Sequence, residues 1–193
     1  SVSSARPSTA SAAWATRCAL TSSATPNGGA CPTAPRSSPA NSTITGNTTD
    51  HNSCIGIRLI NNSDYNTVSN NTSFANSSAI AWPVVAVSDA TGIEMTGSSH
   101  NLVINNITYG NEDSGINFYV NSSGVGSTYN TAVGNLSYGN GDHGIDNNAS
   151  PYNTIVGNTI HGNGTSGINF EGEIGFGSHH ATVANNISAG NGL

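Results

Sequence analysis

The sequence predicts an all-β protein wound as a parallel β-helix, a solenoid of about six coils of roughly 23 residues each. Three observations lead there. First, the pattern N-x-x-x-x-N occurs six times, at Asn47–Asn52, Asn71–Asn76, Asn106–Asn111, Asn135–Asn140, Asn158–Asn163 and Asn186–Asn191. Second, a Gly-Ile pair follows at the same offset in four units: Gly56-Ile57, Gly115-Ile116, Gly144-Ile145 and Gly167-Ile168. A fifth pair, Gly92-Ile93, comes late, after an insertion-like stretch over 77–91. Third, a short β-type run precedes the first Asn of most units, as in Leu102-Val103-Ile104 and Thr154-Ile155-Val156.

The bare period is 23 residues, read from Asn135 to Asn158 and from Gly144 to Gly167, and longer gaps read as loop insertions on a constant frame. Each unit carries about three short β runs and no helix-length apolar stripe. Stacked coils repeat at the strand spacing of about 4.8 Å, so equivalent residues lie above one another. Asparagine tolerates left-handed backbone and satisfies local peptide groups, and stacked amides hydrogen-bond along the axis. Two Asn columns are therefore expected, 47/71/106/135/158/186 and 52/76/111/140/163/191. The Ile of each Gly-Ile pair is expected to stack inward. Phe74, Tyr109, Tyr138 and His161 share a column whose facing the spacing leaves open.

Residues 1–40 stand outside the repeat and are rich in Ser, Ala, Thr and Pro, which reads as a linker or tail. The alternative is an N-terminal cap over the open edge of the first coil. The helix is expected over 41–193. Its sixth unit stops just after the second Asn column, so an edge is expected there for further coils or a neighbouring subunit to cover. Of three cysteines, Cys18 and Cys31 are placed to pair, and Cys54 is expected as a lone thiol. Four arginines, no lysine and a formal charge of −6 exclude nucleic acid as a main partner. No apolar run is long enough to span a bilayer.

In the Gly-Ile strands the pattern I-x-[LMF] turns x outward. That position is Arg58, Glu94, Asn117, Asp146 and Asn169, one outward polar column. Glu94 and Asp146 fall two rungs apart, about 10 Å between Cα atoms. Tilted side chains then approach the spacing of an acid–base pair in an inverting glycosidase, roughly 6.5–9.5 Å. Asp113 and Asp142 sit at one column in adjacent coils, a candidate Ca²⁺ site or coupled carboxylate pair. His143 lies in the dense stretch Gly141-Asp-His-Gly-Ile-Asp146. Glu171 and Glu173 flank an insertion that ends in His179-His180. The plainer readings of these residues are a wet polar face and ordinary turn formers.

The units N-T-I-V-G-N-T-I-H-G-N-G-T-S-G-I-N-F and G-N-G-D-H-G-I-D resemble the right-handed parallel β-helix repeats of the pectate-lyase-like superfamily. The resemblance extends to bacterial secreted repeat proteins and to NosD-like and carbohydrate-processing groups, over residues 42–193. It implies a right-handed helix, a secreted or cell-surface location and a polysaccharide groove on a side face. Two departures stand out. Many such lyases use a Lys or Arg base beside Ca²⁺, whereas Arg58 is the single Arg of the repeats here, and no D-P-x-D motif is present.

The resulting expectation is polysaccharide binding, with possible hydrolase or lyase-like processing. Glu94, Asp146, Asp142 and Asp113 are the candidate chemical groups. Arg58, Asn117, His143, Asn169 and Glu171 are the candidate ligand contacts, and Ca²⁺ is the one candidate cofactor. The alternative is a structural or adhesive surface module. An ice-binding Thr face (67, 131, 154, 182) is disfavoured by Leu102 at the same column.

Overall fold

A computed structural model describes residues 40–78, 90–173 and 175–192, and the expectations for the N-terminal segment lie outside them. The described residues hold strands, turns and loops and no α-helix. The first coil holds β1 (Thr43–Thr45), β2 (Thr48–Asp50) and β3 (Ile57–Ile60), and the second β4 (Thr67–Ser69), β5 (Thr72–Phe74) and β6 (Ile93–Thr96). The third holds β7 (Leu102–Ile104), β8 (Ile107–Tyr109) and β9 (Ile116–Tyr119), and the fourth β10 (Thr131–Val133), β11 (Leu136–Tyr138) and β12 (Ile145–Asn148). The fifth holds β13 (Thr154–Val156), β14 (Thr159–His161) and β15 (Ile168–Glu171). β16 (Thr182–Ala184) and β17 (Ile187–Ala189) belong to the sixth.

Every third strand pairs in parallel. Sheet one runs β1-β4-β7-β10-β13-β16, sheet two β2-β5-β8-β11-β14-β17, and sheet three β3-β6-β9-β12-β15. This is the predicted right-handed parallel β-helix. The register is the one the repeat implies, with Ile57, Ile93, Ile116, Ile145 and Ile168 opposed in sequence.

The core follows from strand alternation. The first four of these isoleucines are fully buried and pack with Leu59, Met95, Phe118, Val68, Val103, Ala132 and Ile155. The inward position of sheet two is mostly hydroxylic instead: Thr49, Ser73, Thr108 and Ser137 are buried, and their hydroxyls pair from coil to coil at 2.9 and 3.0 Å. The glycine before each Ile is required by close approach. A Cβ on Gly115 would lie 2.1 Å from Ser137 Oγ, and one on Gly144 2.7 Å from the Gly167 carbonyl oxygen.

Both predicted Asn columns form ladders. In the first, each Nδ2 donates to Oδ1 of the next coil at 2.9–3.0 Å, from Asn47 to Asn186. In the second the distances are 2.8–2.9 Å, from Asn52 to Asn191. Each Oδ1 also accepts the backbone N–H of the preceding coil's Asn, as Asn106 does from Asn71 at 2.9 Å. A third column was not anticipated: Asn66, Asn101, Asn130 and Asn153 mark the corner before sheet one. A serine column, Ser63, Ser98, Ser127, Ser150 and Ser178, caps backbone N–H groups beside it.

At each corner the residue before the ladder Asn has positive φ. At the first corner it is Gly46, Asn70, Asn105, Gly134, Gly157 and Asn185. Phe74, Tyr109, Tyr138 and His161 stack at 4.8–5.1 Å and face outward, on the side of sheet two opposite its buried hydroxyls.

Cys54 departs from expectation: it is disulfide-bonded, and the other two cysteines, Cys18 and Cys31, lie outside the described residues. Spacing within the repeat does not reveal this bond. Thiol titration in denaturant should find one reactive thiol of the three, and all three after reduction.

The ladder makes a second prediction. Asn106→Ala strips a buried acceptor from the Asn71 N–H and a donor from the Val68 carbonyl, so urea denaturation should show a loss of about 1–3 kcal/mol. Asn47→Ala, at the half-buried end of the same ladder, should cost less than half as much.

Candidate functional site

The outward column of sheet three is continuous, with Arg58, Glu94, Asn117, Asp146 and Asn169 paired rung by rung. Glu94 and Asp146 are thus two rungs apart, with Asn117 between them. The column is not a wet face: Glu94, Asn117 and Asp146 are only 2, 6 and 5 % exposed. A column of polar groups this dry must satisfy its hydrogen bonds internally or hold something that does.

At the first-coil end it is satisfied. Arg58 Nε lies 2.8 Å from Glu94 Oε1, and the Thr96 hydroxyl donates to the same oxygen. Toward the fifth coil the balance changes. Asn169 Nδ2 donates to Asp146 Oδ1 at 3.1 Å, and Asn148 Nδ2 to Glu171 Oε1 at 2.7 Å. Two buried amide oxygens, Asn117 Oδ1 and Asn148 Oδ1, have no partner. Asn148 is two residues beyond Asp146 on β12, so strand alternation puts it on the same face, about 7 Å along. Sequence reasoning missed it because β12 reads I-D-N-N, where Asn147 holds the position that is apolar in β3, β6, β9 and β15. Asn147 points inward and is held by the Ser150 carbonyl and Asn153 Nδ2.

Asp146 is pushed up to about 7, first by burial, then by the nearby Glu171 carboxylate, with smaller contributions from Asp113 and Asp142; the Asn169 hydrogen bond opposes this. It therefore exchanges its proton near neutrality, the property required of a general acid.

Asp113 and Asp142 do lie in adjacent coils, joined by a backbone hydrogen bond of 3.3 Å. Their side chains engage different threonines. Asp113 accepts from Thr91 at 3.0 Å, and Asp142 from the hydroxyl of Thr165, its equivalent one coil on. His143 Nδ1 is 2.7 Å from Thr165 Oγ1, and its Nε2 is 3.4 Å from Asp142 Oδ1. Among the described residues no group of three or more His, Cys, Asp or Glu side chains is placed to hold a metal ion.

Glu171 is exposed and marks where the column opens to solvent. Beyond it, Glu173 and Phe176 exchange two backbone hydrogen bonds of 2.9 Å, a short turn anchored by the Tyr119 hydroxyl donating to Glu173 at 2.8 Å. His180 joins a second aromatic column, Tyr65, His100, Tyr129, Tyr152 and His180, stacked at 4.8–5.1 Å. All five have positive φ. The sequence signal for this column was an aromatic or His directly before each third-ladder Asn.

The fold is a parallel β-helix with one buried polar column on the outer face of sheet three. The family model described as "Periplasmic copper-binding protein (NosD)" matches residues 74–192, more than half of the chain, and the chain belongs to that family. Among solved structures it is similar to the periplasmic alginate epimerase AlgG, at 16% identity and a TM-score of 0.52, over 80% of this chain and 43% of that one. It is similarly close to a double mutant of AlgG, at 17% identity and a TM-score of 0.53, over 80% and 39%. At such identities the likeness shows the fold, and the chain spans less than half the length of these structures. No curated protein matches the sequence.

The pH linkage of Asp146 is directly testable. Its folded pKa lies above the unfolded value of 3.8, so the folded form keeps a proton that the unfolded chain loses. Stability then falls as pH rises from about 4 through about 7, by at most about 4 kcal/mol, and levels off above. Asp146→Asn should flatten this part of the curve in urea melts at about pH 4 and about pH 8. An unchanged slope would show that another group is responsible.

Proposed function

We propose that this protein is an extracytoplasmic β-helix that binds a polysaccharide along sheet three, with the Asp146 region at the centre of the site. The observation that carries the reading is the dry polar column with two unpartnered amide oxygens beside a carboxyl that titrates near neutrality. Long, nearly flat β-helix faces suit extended chains, and AlgG, of the same fold, is an alginate epimerase. Location outside the cytoplasm is supported by the periplasmic description of the family and by the Cys54 disulfide. No helix among the described residues is long and apolar enough to cross a membrane.

Processing would use Asp146 as the acid and Glu94 as the base, two rungs away. The ion pair of Glu94 with Arg58 favours binding over hydrolysis, because a carboxylate neutralised by a cation is a weaker base. Asp113, Asp142 and His143 would line the side of the site where the Gly-Ile strands begin, and Asn169 and Glu171 its open end.

The family description names copper. Copper favours imidazole and thiolate ligands. Cys54 is in a disulfide, and the exposed His179 and His180 turn their Nδ1 atoms to each other at 2.6 Å. The described residues do not fit a resident copper centre.

A panel of anionic, neutral and amino-sugar polysaccharides, assayed for retention of the protein and for release of reducing ends or unsaturated products, tests the proposal. Retention by at least one class is expected, weakened in Asp146→Asn. Product release would add catalysis, and retention by none would sink the reading.

A further inference from the structure

The corner before sheet one carries a feature that the scaffold does not require. Tyr65, His100, Tyr129, Tyr152 and His180 turn it with positive φ, a backbone that strains a bulky residue. The first corner makes its turn with Gly or Asn, as at Gly134 and Asn105, at little cost. Stacking offsets the strain of the rings, but Gly or Asn would not incur it. The tyrosines project: Tyr65, Tyr129 and Tyr152 are 57, 51 and 39 % exposed. Strained residues kept where unstrained ones would serve point to an outward contact. Their ring faces are taken up by stacking on one another, so edges and hydroxyls meet solvent, which is no platform for a sugar. Beside this ridge, two residues on along each coil, lies the outer face of sheet one. Its outward positions run from Thr43 and Thr45 to Thr182 and Ala184, hydroxylic in the first two coils and with Leu102, Ile104, Val133 and Val156 in the middle. None carries a charge. Six of the ten acidic residues, Glu94, Glu112, Asp113, Asp142, Asp146 and Glu171, lie on sheet three or the corner leading into it. Asp64, at the ridge beside Tyr65, accepts the Ser99 N–H at 2.6 Å.

We propose that the aromatic ridge and the outer face of sheet one form the contact between two copies of this chain. Charge, relief and size single out a second copy as the occupant. A two-fold contact sets one patch against itself, so a patch rich in carboxylates repels its copy. In a chain of net charge −6, the face of sheet one avoids that repulsion, and the face of sheet three does not. The relief of the face repeats at the rung spacing of about 4.8 Å, so its side-chain ridges fit furrows of the same period, which a second copy supplies. Exposed tyrosine edges suit such a contact, since tyrosine is enriched where proteins meet. Six rungs by five residues span about 29 Å by about 17 Å, so two copies cover roughly 1,000 Å² together, the lower end for a specific interface. The dimer is therefore expected to be reversible, with a dissociation constant in the micromolar range. Sheet three lies on another side of the coil and stays open in this dimer, so glycan binding there is unaffected.

Sedimentation velocity of the full chain, with free thiol blocked by iodoacetamide, tests this over about 1 to 200 µM. A reversible rise from monomer to dimer mass is expected across that range. Val133→Asp places a charge in the middle of the face without touching the core. Tyr129→Asn removes a ring and keeps a residue at ease with positive φ. Each should weaken association about tenfold or more, with urea midpoints close to that of the unmodified chain. Leu136→Asp, outward on sheet two, is the control and should leave the dimer intact. A chain that stays monomeric throughout the range overturns the inference, as does a dimer that either sheet-one variant leaves intact. Loss of the dimer in Leu136→Asp overturns it in favour of a contact on sheet two.

Discussion

Everything in this molecule depends on the need to satisfy the same backbone groups at every corner of every coil. A β-helix pairs its strands with the coils on either side, but each corner breaks the pairing and leaves peptide groups in a dry interior. One two-residue device solves the problem at each of the three corners: a residue in the left-handed region turns the chain, and an Asn follows whose Oδ1 takes a backbone N–H and whose Nδ2 reaches its neighbour's Oδ1 or a carbonyl. Asn106 shows all of it, receiving the Asn71 N–H and donating to the Val68 carbonyl and to Asn135. The bond is good only if the next coil places an Asn at the same height, so the ladders fix the register.

The residue that turns the corner differs with what surrounds it. At the first corner it is Gly or Asn, which visit positive φ at little cost. At the corner before sheet one it is Tyr or His, for which the same backbone costs about 1–2 kcal/mol. The rings at that corner stack at 4.8–5.1 Å, and aromatic pairs return about 0.5–1.5 kcal/mol each. Stacking thus offsets the strain in the middle of the column, where each ring has two neighbours.

The sequence made the scaffold legible because the scaffold is periodic. Two ladders, the Ile stack and the register of the outward column were readable from spacing alone. The third ladder was equally present, as Asn66, Asn101, Asn130 and Asn153, but it lacks the paired N-x-x-x-x-N signature that drew attention to the others. The dryness of the sheet-three face was not readable, since alternation says which way a side chain points and nothing about what lies over it. For the same reason the shifted titration of Asp146 was out of reach: burial, its main cause, is not written in the repeat. The Cys54 disulfide was missed because nothing in the spacing of the repeat marks a partner for it.

The repeat also limits where chemistry can be placed. At one column successive residues are about 4.8 Å apart, so two adjacent carboxylates would repel strongly in a dry environment. The outward column reads Arg, Glu, Asn, Asp, Asn, with an amide on either side of Asp146 and a cation beside Glu94. An amide is a neutral spacer that still fits the polar column. In the ladders a neighbouring amide supplies each amide oxygen's donor, whereas Asn117 has no amide on either side of it in its column. Asn117 stands between two carboxyl-bearing residues, so its oxygen is left unsatisfied by the same alternation that keeps the charges apart. The open valences of this face therefore follow from mixing residue types in a structure that satisfies itself only when they repeat.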